Sequence, residues 1–456
     1  MKFETKDTNY AAVVVELKTF VPLANCDNAQ GTLIFGNQVI VAKTSQIGDR
    51  GLFFPLETSL SKEFLGANNL FRKTEFGNVD ASKKGFFEEH GRVKAVAFRG
   101  HRSEGFFIPL DSLSPLGFKP EDFNLGDEFN SIDGKEICKK YIPRGYRSHV
   151  KGPRVKGKEP KLEDQIVPGT FLFHYDTEQL RRHLDEIKPE TLVSISLKFH
   201  GTSLVVGNLP TLRNLKWYER LAKKVGVKIQ ETEYGLVVSS RRVIKSVGGE
   251  SKTTAGFYSE DIWSIVGEEI KDRIPKGYTI YGEIVGYTPA GSPIQKGYAY
   301  GCPQGEHKLY VYRVVHRNED GKALELPWPQ MKAFCAKWGL EPVVETFYGR
   351  AIDFVMEYHP DDSKGIGFTT SNGKIEWDSN EPFEEAFLKT LEAEYLEQMC
   401  PYNRNEVPAE GVVVRIDQLE ESKAFKLKSY LFLQKETKDL DSGEADIETQ
   451  EAEVEP

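Results

Sequence analysis

The segment Lys-Phe-His-Gly-Thr-Ser at positions 198–203 decides how this chain is interpreted, because it places an amine at the end of a predicted strand and continues into a tight polar turn. Successive side chains of a strand over 192–198 point to opposite faces, so Lys198 lies on the face of the two serines and leaves the core. Gly201 permits a sharp turn and the close approach of a phosphate. A solvated loop has a similar composition, so this segment alone leaves both interpretations open.

Three later strands carry charged or aromatic side chains at defined places. Glu283 follows a glycine inside an apolar strand that has little other use for a charge. Tyr310 and Tyr312 are two residues apart and are predicted to share one strand face, where a ring could stack on a purine. Glu410 opens a strand made almost entirely of β-forming residues. Each feature alone also fits an ordinary core or surface position.

Two further segments are basic. In the strand 424–431, Lys426 and Lys428 share one face, and apolar residues occupy the other. Arg241 and Arg242 follow a serine directly after an apolar run. A solvated strand face would explain the lysine pair if it stood alone.

Taken in order, these segments resemble the motifs of the covalent nucleotidyltransferase superfamily, which includes ATP-dependent ligases and capping enzymes. His200 stands where DNA ligases and capping enzymes usually carry aspartate, which is similar to the RNA ligase branch. The resemblance covers residues 176–430, a little over half of the chain. Many RNA ligases have an acidic residue immediately before the lysine, whereas this chain has Leu197. A base contact at that position would come from the backbone, which makes the preference for adenine over guanine less secure.

The resemblance implies that Lys198 attacks the α-phosphorus of ATP and carries AMP covalently. A lysine with the reference pKa of about 10.4 is uncharged in only about one molecule in 2,500 at pH 7. Lys426 and Lys428 are therefore expected to lower the pKa of Lys198 by repulsion and to neutralise charge on the phosphate. The AMP then moves to a 5′-phosphate end and is displaced by a 3′-hydroxyl.

The same resemblance assigns the nucleotide contacts. Glu283 is expected to bind a ribose hydroxyl, Arg241 ribose or phosphate oxygens, and Tyr312 the base, with Arg242 as the competitor for the arginine role. ATP is the expected cofactor, together with Mg²⁺ or Mn²⁺ held mainly by Glu410, with Glu283 as the second candidate. The predicted nucleotide-binding residues are His200, Gly201, Arg241, Glu283, Tyr312 and Glu410.

The first third of the chain consists of short predicted strands and turns. Gly36-Asn37 indicates a hairpin, and five strands at this spacing suit a small all-β barrel of the OB type in residues 1–138. Only 28 residues follow Lys428, too few for the OB domain that most relatives carry there. This order resembles nick-sealing RNA ligases of the Deinococcus type. The predicted fold is a mixed, largely antiparallel α/β nucleotidyltransferase domain over 166–435, preceded by the OB-like barrel.

Residues 139–165 are predicted to form a basic linker. Between 139 and 161 the chain has nine lysines and arginines and one acidic residue. A solvated hinge and a clamp that follows nucleic-acid phosphates both fit this composition. The residues predicted to contact phosphates are Arg144, Arg147, Lys151, Arg154, Lys156 and Lys158.

Charge and cysteine content limit the remaining possibilities. The net charge is −9, but residues 436–456 hold nine acidic residues and one lysine, so the rest of the chain is close to neutral. This acidic tail is predicted to be disordered, as a solubilising segment or an autoinhibitory mimic of nucleic acid. The five scattered cysteines indicate neither disulfides nor zinc. Without a signal peptide or a long apolar run, a soluble intracellular protein with no membrane partner is expected, cytoplasmic or nuclear, and a viral origin remains open.

The sequence therefore predicts an ATP-dependent RNA ligase for RNA repair, with a nicked duplex or broken RNA as its partner and a monomer as the favoured state. At a nick, the strand that offers the 3′-hydroxyl is expected to end in RNA. A DNA ligase, a GTP-using capping guanylyltransferase and a non-catalytic nucleic-acid-binding protein are the alternatives. Helices are predicted over 176–187, 330–338 and 384–399.

Overall fold

The computed structural model describes residues 1–143, 162–174, 176–251, 258, 260–318, 322–358, 367–371, 374–378, 381–417 and 422–443. The chain divides into two compact units. Residues 1–143, 178–184 and 433–442 form the first unit, and the described parts of 144–177, 185–432 and 443–456 form the second. The six predicted phosphate-contacting residues of the basic linker lie outside the described residues, as does the chain from 444 onwards.

The first unit consists of short strands, the helix α1 Lys62–Ala67 and most of the last helix, α7 Tyr430–Asp441. Its strands are β1 Phe3–Glu4, β2 Ala12–Glu16, β3 Ala29–Ile34, β4 Asn37–Ala42, β5 Arg50–Phe54, β6 Thr58–Leu60, β7 Val96–Phe98, β8 His101–Ser103, β9 Phe106–Pro109, β10 Glu128–Phe129, β11 Ser131–Ile132, β12 Lys135–Glu136, β13 Cys138–Lys140 and β14 Glu178–Gln179.

The strands of the first unit pair in several small antiparallel sheets. The largest has the order β10-β2-β5-β9, and β3 with β4 forms the hairpin that was predicted at Gly36-Asn37. Among the described residues of this unit, the pairing does not close into a barrel, so the predicted OB barrel is not confirmed. Many of these strands have only two or three residues.

The second unit contains the helices α2 Trp217–Lys224, α3 Ile262–Ile270, α4 Trp328–Trp338, α5 Ala351–Tyr358 and α6 Phe383–Tyr395, and the start of α7 Tyr430–Asp441. Its strands are β15 Leu192–Lys198, β16 Thr202–Leu212, β17 Thr232–Ser239, β18 Ile244–Val247, β19 Glu250–Ser251, β20 Tyr278–Gly286, β21 His307–Arg317, β22 Ala323–Glu325, β23 Glu341–Pro342, β24 Glu345–Arg350, β25 Gly367–Ser371, β26 Lys374–Asp378, β27 Gly411–Ile416 and β28 Lys423–Lys428.

Two antiparallel sheets organise the second unit. One contains the run β28-β27-β15-β24, and the other has the order β19-β18-β17-β16-β20-β21-β22, with β23 parallel to β21. Helices α3 and α4 pack on the longer sheet through buried side chains such as Trp263 and Met331. The chain passes from the first sheet to the second at residues 199–201, between β15 and β16. This arrangement confirms a mixed, largely antiparallel α/β fold.

Two of the three predicted helices are confirmed and one is wrong. Those over 330–338 and 384–399 correspond to α4 and α6, whose apolar faces are buried. The helix predicted over 176–187 is wrong, because the segment forms β14 and two short 3₁₀ turns. Arg181 donates to the carbonyl of Gly36 at 2.9 Å, a contact distant in sequence that local propensity does not encode.

The beginning of the predicted acidic tail is also ordered. Helix α7 extends to Asp441, so the prediction of disorder is wrong for residues 436–441. The Asp441 carboxylate accepts hydrogen bonds from Lys94 at 2.8 Å and from the buried Arg92 at 3.2 Å. Composition alone does not show these long-range ion pairs.

All five cysteines are buried and are free thiols in this structure. In the described part of the chain, none of the helices has the length and apolar character needed to cross a bilayer.

Candidate active site

The lysine-bearing strand β15 lies between β27 and β24. Gly411 of β27 pairs with Lys198 on one side and with Lys428 on the other. Two residues further along β27, Val413 pairs with Ser196 and Lys426 in the same way. Side chains that are opposite each other across neighbouring strands share a face of the sheet. Lys198, Lys426 and Lys428 therefore lie on one face, and the shared face of Lys426 and Lys428 is the one that the two-residue period predicted.

Glu410 links two of these lysines. Its carboxylate oxygen Oε1 is 2.7 Å from Lys198 Nζ and 3.4 Å from Lys428 Nζ, while the Glu410 side chain is only 2% exposed. Gly411 has a φ of +137°, and a Cβ there would lie 2.0 Å from the carbonyl oxygen of Leu427. A residue with a side chain does not fit at 411, so this glycine allows Glu410 to lie directly beside the lysine strands.

The charges in this cluster shift one another's protonation. Burial raises the pKa of Glu410, but the nearby Lys198 and Lys428 outweigh it and lower the pKa to about 2. Glu410 is therefore a carboxylate at neutral pH. Burial and repulsion from Lys428 lower the pKa of Lys426 to about 7, against the opposing effect of Asp176. Repulsion between cations is thus present at Lys426, and the lowered pKa expected for Lys198 stays a prediction.

Metal binding in this region depends on few protein ligands. Glu410 Oε2 is buried and has no hydrogen-bond partner, which leaves a carboxylate oxygen suited to a hard cation. Within the described ranges, no group of three or more acidic, histidine or cysteine side chains forms a metal site. The residues therefore fit a Mg²⁺ ion that takes most of its ligands from phosphates and water, and they do not form a metal cage of their own.

Gly201 fixes the turn between the two sheets. Its N–H donates to Glu283 Oε1 at 2.9 Å, and its carbonyl accepts from Gln295 Nε2 at 2.9 Å. A Cβ at 201 would lie 2.2 Å from the carbonyl oxygen of Ile284, so only glycine fits without a backbone shift. Glu283 is thus held at the base of the lysine turn.

Tyr312 lies at an irregularity in β21. Tyr281 pairs with Arg313 and Gly282 with Val311, so Tyr312 is the extra residue of a bulge. Its hydroxyl lies 3.2 Å from Ser203 Oγ and 3.2 Å from His174 Nδ1. The bulge interrupts the regular alternation of β21 between Tyr310 and Arg313, and the common face of Tyr310 and Tyr312 stays a prediction.

Tyr310 is a core residue. Its ring packs edge-on against Phe199 with 4.6 Å between ring centres, and burial raises its pKa to about 12. The two tyrosines therefore have different contacts. Tyr310 packs against Phe199 of the lysine turn, and the Tyr312 hydroxyl forms a hydrogen bond with Ser203.

His200 is enclosed by aromatic rings. Its backbone N–H donates to the Tyr300 hydroxyl at 2.7 Å, and its ring meets Tyr298 and Phe432 edge-on with 5.0 Å between centres. Lys428 Nζ lies 5.0 Å from the centre of the same Phe432 ring. Sequence reasoning missed Phe432, Tyr298 and Tyr300. The spacing of the two tyrosines around one alanine was the available signal, but it lies outside every recognised motif.

Asp176 holds both candidate arginines. Its carboxylate binds Arg241 directly and lies 3.4 Å from Arg242 Nη2. It also stabilises the charged form of Lys426. The preference for Arg241 over Arg242 as the nucleotide contact stays a prediction, since one carboxylate binds both. Asp176 itself was assigned no role from the sequence.

Comparison with known proteins identifies the family. The family model for RNA ligase matches residues 192–428, just over half of the 456 residues, so the chain belongs to the RNA ligase family. The matched region contains the three lysines, Glu283 and Glu410. No curated protein matches the chain in sequence.

Solved structures of Naegleria gruberi RNA ligase share the fold. A lysine-to-methionine mutant with AMP and Mn has a TM-score of 0.53 at 15% identity, covering 93% of this chain and 98% of the other. A lysine-to-alanine mutant with ATP and Mn gives 0.53 at 16% identity with the same coverage. The form with PPi gives 0.50 at 15% identity, covering 94% and 98%. At these identities the similarity concerns the fold alone.

Proposed function

We propose that this chain is an ATP-dependent RNA ligase that adenylates itself on Lys198. Membership of the RNA ligase family supports this proposal, and so do the complexes of Naegleria gruberi RNA ligase with ATP, AMP, Mn and PPi. The observation that carries it is local. Lys198 Nζ lies 2.7 Å from a buried carboxylate, on a strand face that it shares with Lys426 and Lys428.

The first step forms a bond between Lys198 Nζ and the α-phosphorus of ATP. The bond from that phosphorus to the β-phosphate oxygen breaks, and pyrophosphate leaves with the electron pair. Lys198 must first lose a proton. Lys426, with a pKa of about 7, is uncharged in about half of the molecules at pH 7 and can take that proton. Glu410, with a pKa of about 2, is too weak a base and acts as an anchor for the two ammonium groups.

The remaining residues are proposed to hold the nucleotide. Glu283 binds the ribose, Tyr312 stacks on the base, and Arg241 takes phosphate oxygens in place of Asp176. His200 and Gly201 shape the turn over which the α-phosphate passes. A Mg²⁺ or Mn²⁺ ion held by Glu410 Oε2 and the nucleotide phosphates would neutralise charge on those phosphates. Glu283, with one oxygen bonded to Gly201, is the weaker metal candidate.

The substrate is proposed to be a nick in a duplex whose 3′-hydroxyl strand ends in RNA. AMP passes from Lys198 to the 5′-phosphate, and the 3′-hydroxyl then displaces AMP as the phosphodiester forms. We propose that residues 1–138 bind nucleic acid and that the basic linker of 139–165 follows phosphates. Residues 166–435 form the catalytic domain in this scheme.

Two assays test this function together. After incubation with ATP or GTP labelled in the α-phosphate, the protein should carry label from ATP alone. The Lys198→Ala variant should take no label. The control variant Lys337→Ala, on the exposed end of α4, should be labelled like the wild type. A panel of matched nicks should then show sealing that requires RNA at the 3′-hydroxyl end. Label from GTP would support a capping enzyme. Equal sealing of all-DNA nicks would support a DNA ligase. A wild-type protein that takes no label from either nucleotide would contradict catalysis.

A further inference from the structure

Helix α2 and its flanking residues, 212–228, form a second surface that the proposed chemistry does not use. This α2 surface lies in the connection between β16 and β17, and none of the residues of α2 is buried. Six of the 21 exposed large apolar side chains among the described residues lie between 212 and 227. Because apolar groups cluster in the open here, the segment has the character of a contact surface.

The exposed apolar side chains follow one face of the helix. Trp217 is 78% exposed, Leu221 56% and Val225 74%. These residues are four apart, so they lie one above the other on the helix surface. Tyr218 is 50% exposed, and its ring meets that of Trp217 nearly at a right angle, with 6.0 Å between centres. Two adjacent aromatic rings thus stand at the start of the helix.

Positive charge is interleaved with these rings. Residues 213–228 hold six lysines and arginines and one acidic residue, Glu219. That carboxylate has a structural role, since it accepts the N–H of Lys216 at 2.8 Å and pairs with Arg213 at 2.5 Å. Lys216 Nζ lies 5.8 Å from the centre of the Tyr218 ring. The surface therefore offers several cations with aromatic faces between them.

We infer that the α2 surface binds the nucleic-acid substrate, with Trp217 and Tyr218 stacking on bases or sugars and the basic residues contacting phosphates. The inference rests on the proposed function and names the part of the second unit that grips the duplex. Cations interleaved with stacking rings are the arrangement by which proteins hold nucleic-acid strands without reading sequence.

Position favours nucleic acid over an anionic membrane. Strand β16 runs from Thr202, beside the lysine turn, to Leu212, where the α2 surface begins. Its eleven residues span about 33 Å at roughly 3.3 Å per residue, the length of about ten base pairs of duplex. A duplex with its nick at Lys198 would reach the α2 surface after about one helical turn. Binding to a membrane would not require any particular distance between Lys198 and the α2 surface.

Binding of a nicked duplex to the full-length protein tests the inference. Trp217→Ala should weaken binding on the order of tenfold, and Trp217→Phe should recover most of it, because a ring remains for stacking. Lys224→Glu should weaken binding and lower the slope of log affinity against log salt by about one. Lys337→Glu, the same charge change elsewhere in this unit, should do neither. Self-adenylation with ATP should stay at the wild-type rate in all four variants.

Arm length sharpens the test. Shortening the duplex on one side of the nick to about five base pairs should remove the difference between wild type and Trp217→Ala, since the short arm cannot reach the α2 surface. Unchanged duplex binding and salt slope in both the Trp217→Ala and Lys224→Glu variants would overturn the inference. So would loss of binding to phosphatidylserine vesicles with duplex binding intact, since the surface would then be a membrane contact. If duplex binding depends on Trp217 but the protein is never labelled by ATP, the proposed ligase activity is wrong and the inferred nucleic-acid contact of the α2 surface still holds.

Discussion

Two regions of the second unit concentrate lysines, and they do so in opposite surroundings. On the β15-β27-β28 face, two lysines share one carboxylate that is 2% exposed, and burial lowers the pKa of the third. On the α2 surface, six basic residues stand among side chains that are mostly exposed. Buried charges tune one another's protonation and tolerate little change. Exposed charges act additively and are screened by salt.

The largest effect should come from the anchor of the buried cluster. Glu410→Gln removes the charge that holds Lys198 and Lys428, so both ammonium groups lose their shared partner. Self-adenylation should fall on the order of a hundredfold or more, measured as the rate of label incorporation from ATP. Glu306→Gln, at an exposed position, is the matched control and should keep the wild-type rate. A Glu410→Gln protein that labels normally would show that the cluster is not catalytic.

Gly201→Ala should be the next most damaging change. The added methyl group would meet a backbone oxygen at 2.2 Å and the Glu283 side chain at 2.9 Å, so the turn must shift. We expect at least a tenfold loss of ATP affinity and a lower melting temperature, measured by nucleotide titration and thermal unfolding. Wild-type ATP affinity in this variant would contradict the role given to the turn.

The pH dependence of labelling tests the role of Lys426. Its pKa of about 7 predicts that the self-adenylation rate rises as pH increases through 7, because the uncharged amine is the form that accepts a proton. Lys426→Arg keeps the charge at every accessible pH and should remove this rise while lowering the plateau. An unchanged pH profile in Lys426→Arg would assign the rise to another group.

The smallest effect concerns stability. The folded-state pKa of Lys426 lies below its unfolded value, so the unfolded chain binds more protons between about pH 7 and 10.4, and stability should increase with pH across that window. Lys426→Met removes this dependence. Its melting temperature should exceed that of wild type most at pH 6, and the difference should shrink by pH 9. A difference that grows with pH would contradict the sign of the shift.

Strand periodicity predicted which side chains of each strand share a face, because each strand needed only its own two-residue alternation. Lys426 and Lys428 share a face as expected, and the strand pairing adds Lys198 to it. The bulge at Tyr312 was not predicted, because it depends on the pairing of two strands. No local pattern reveals such a pairing.

Features that depend on distant contacts could not be predicted. The segment after Asp176 forms no helix, since its arginines bind residues more than a hundred positions away. Helix α7 continues into the acidic tail because Asp441 pairs with Lys94 and Arg92. Asp176 and Phe432 join the site from segments without a motif. The exposed aromatic residues of α2 were visible in the sequence, but only the structure shows that nothing in the described part of the chain buries them.

The central claim is that Lys198 carries the nucleotide. The most direct measurement is to incubate the protein with ATP and Mg²⁺, digest it, and locate the AMP adduct by mass spectrometry. The account predicts AMP on the peptide that contains Lys198 and none on peptides with Lys426 or Lys428. An adduct on either of those lysines, or on no lysine at all, would contradict it.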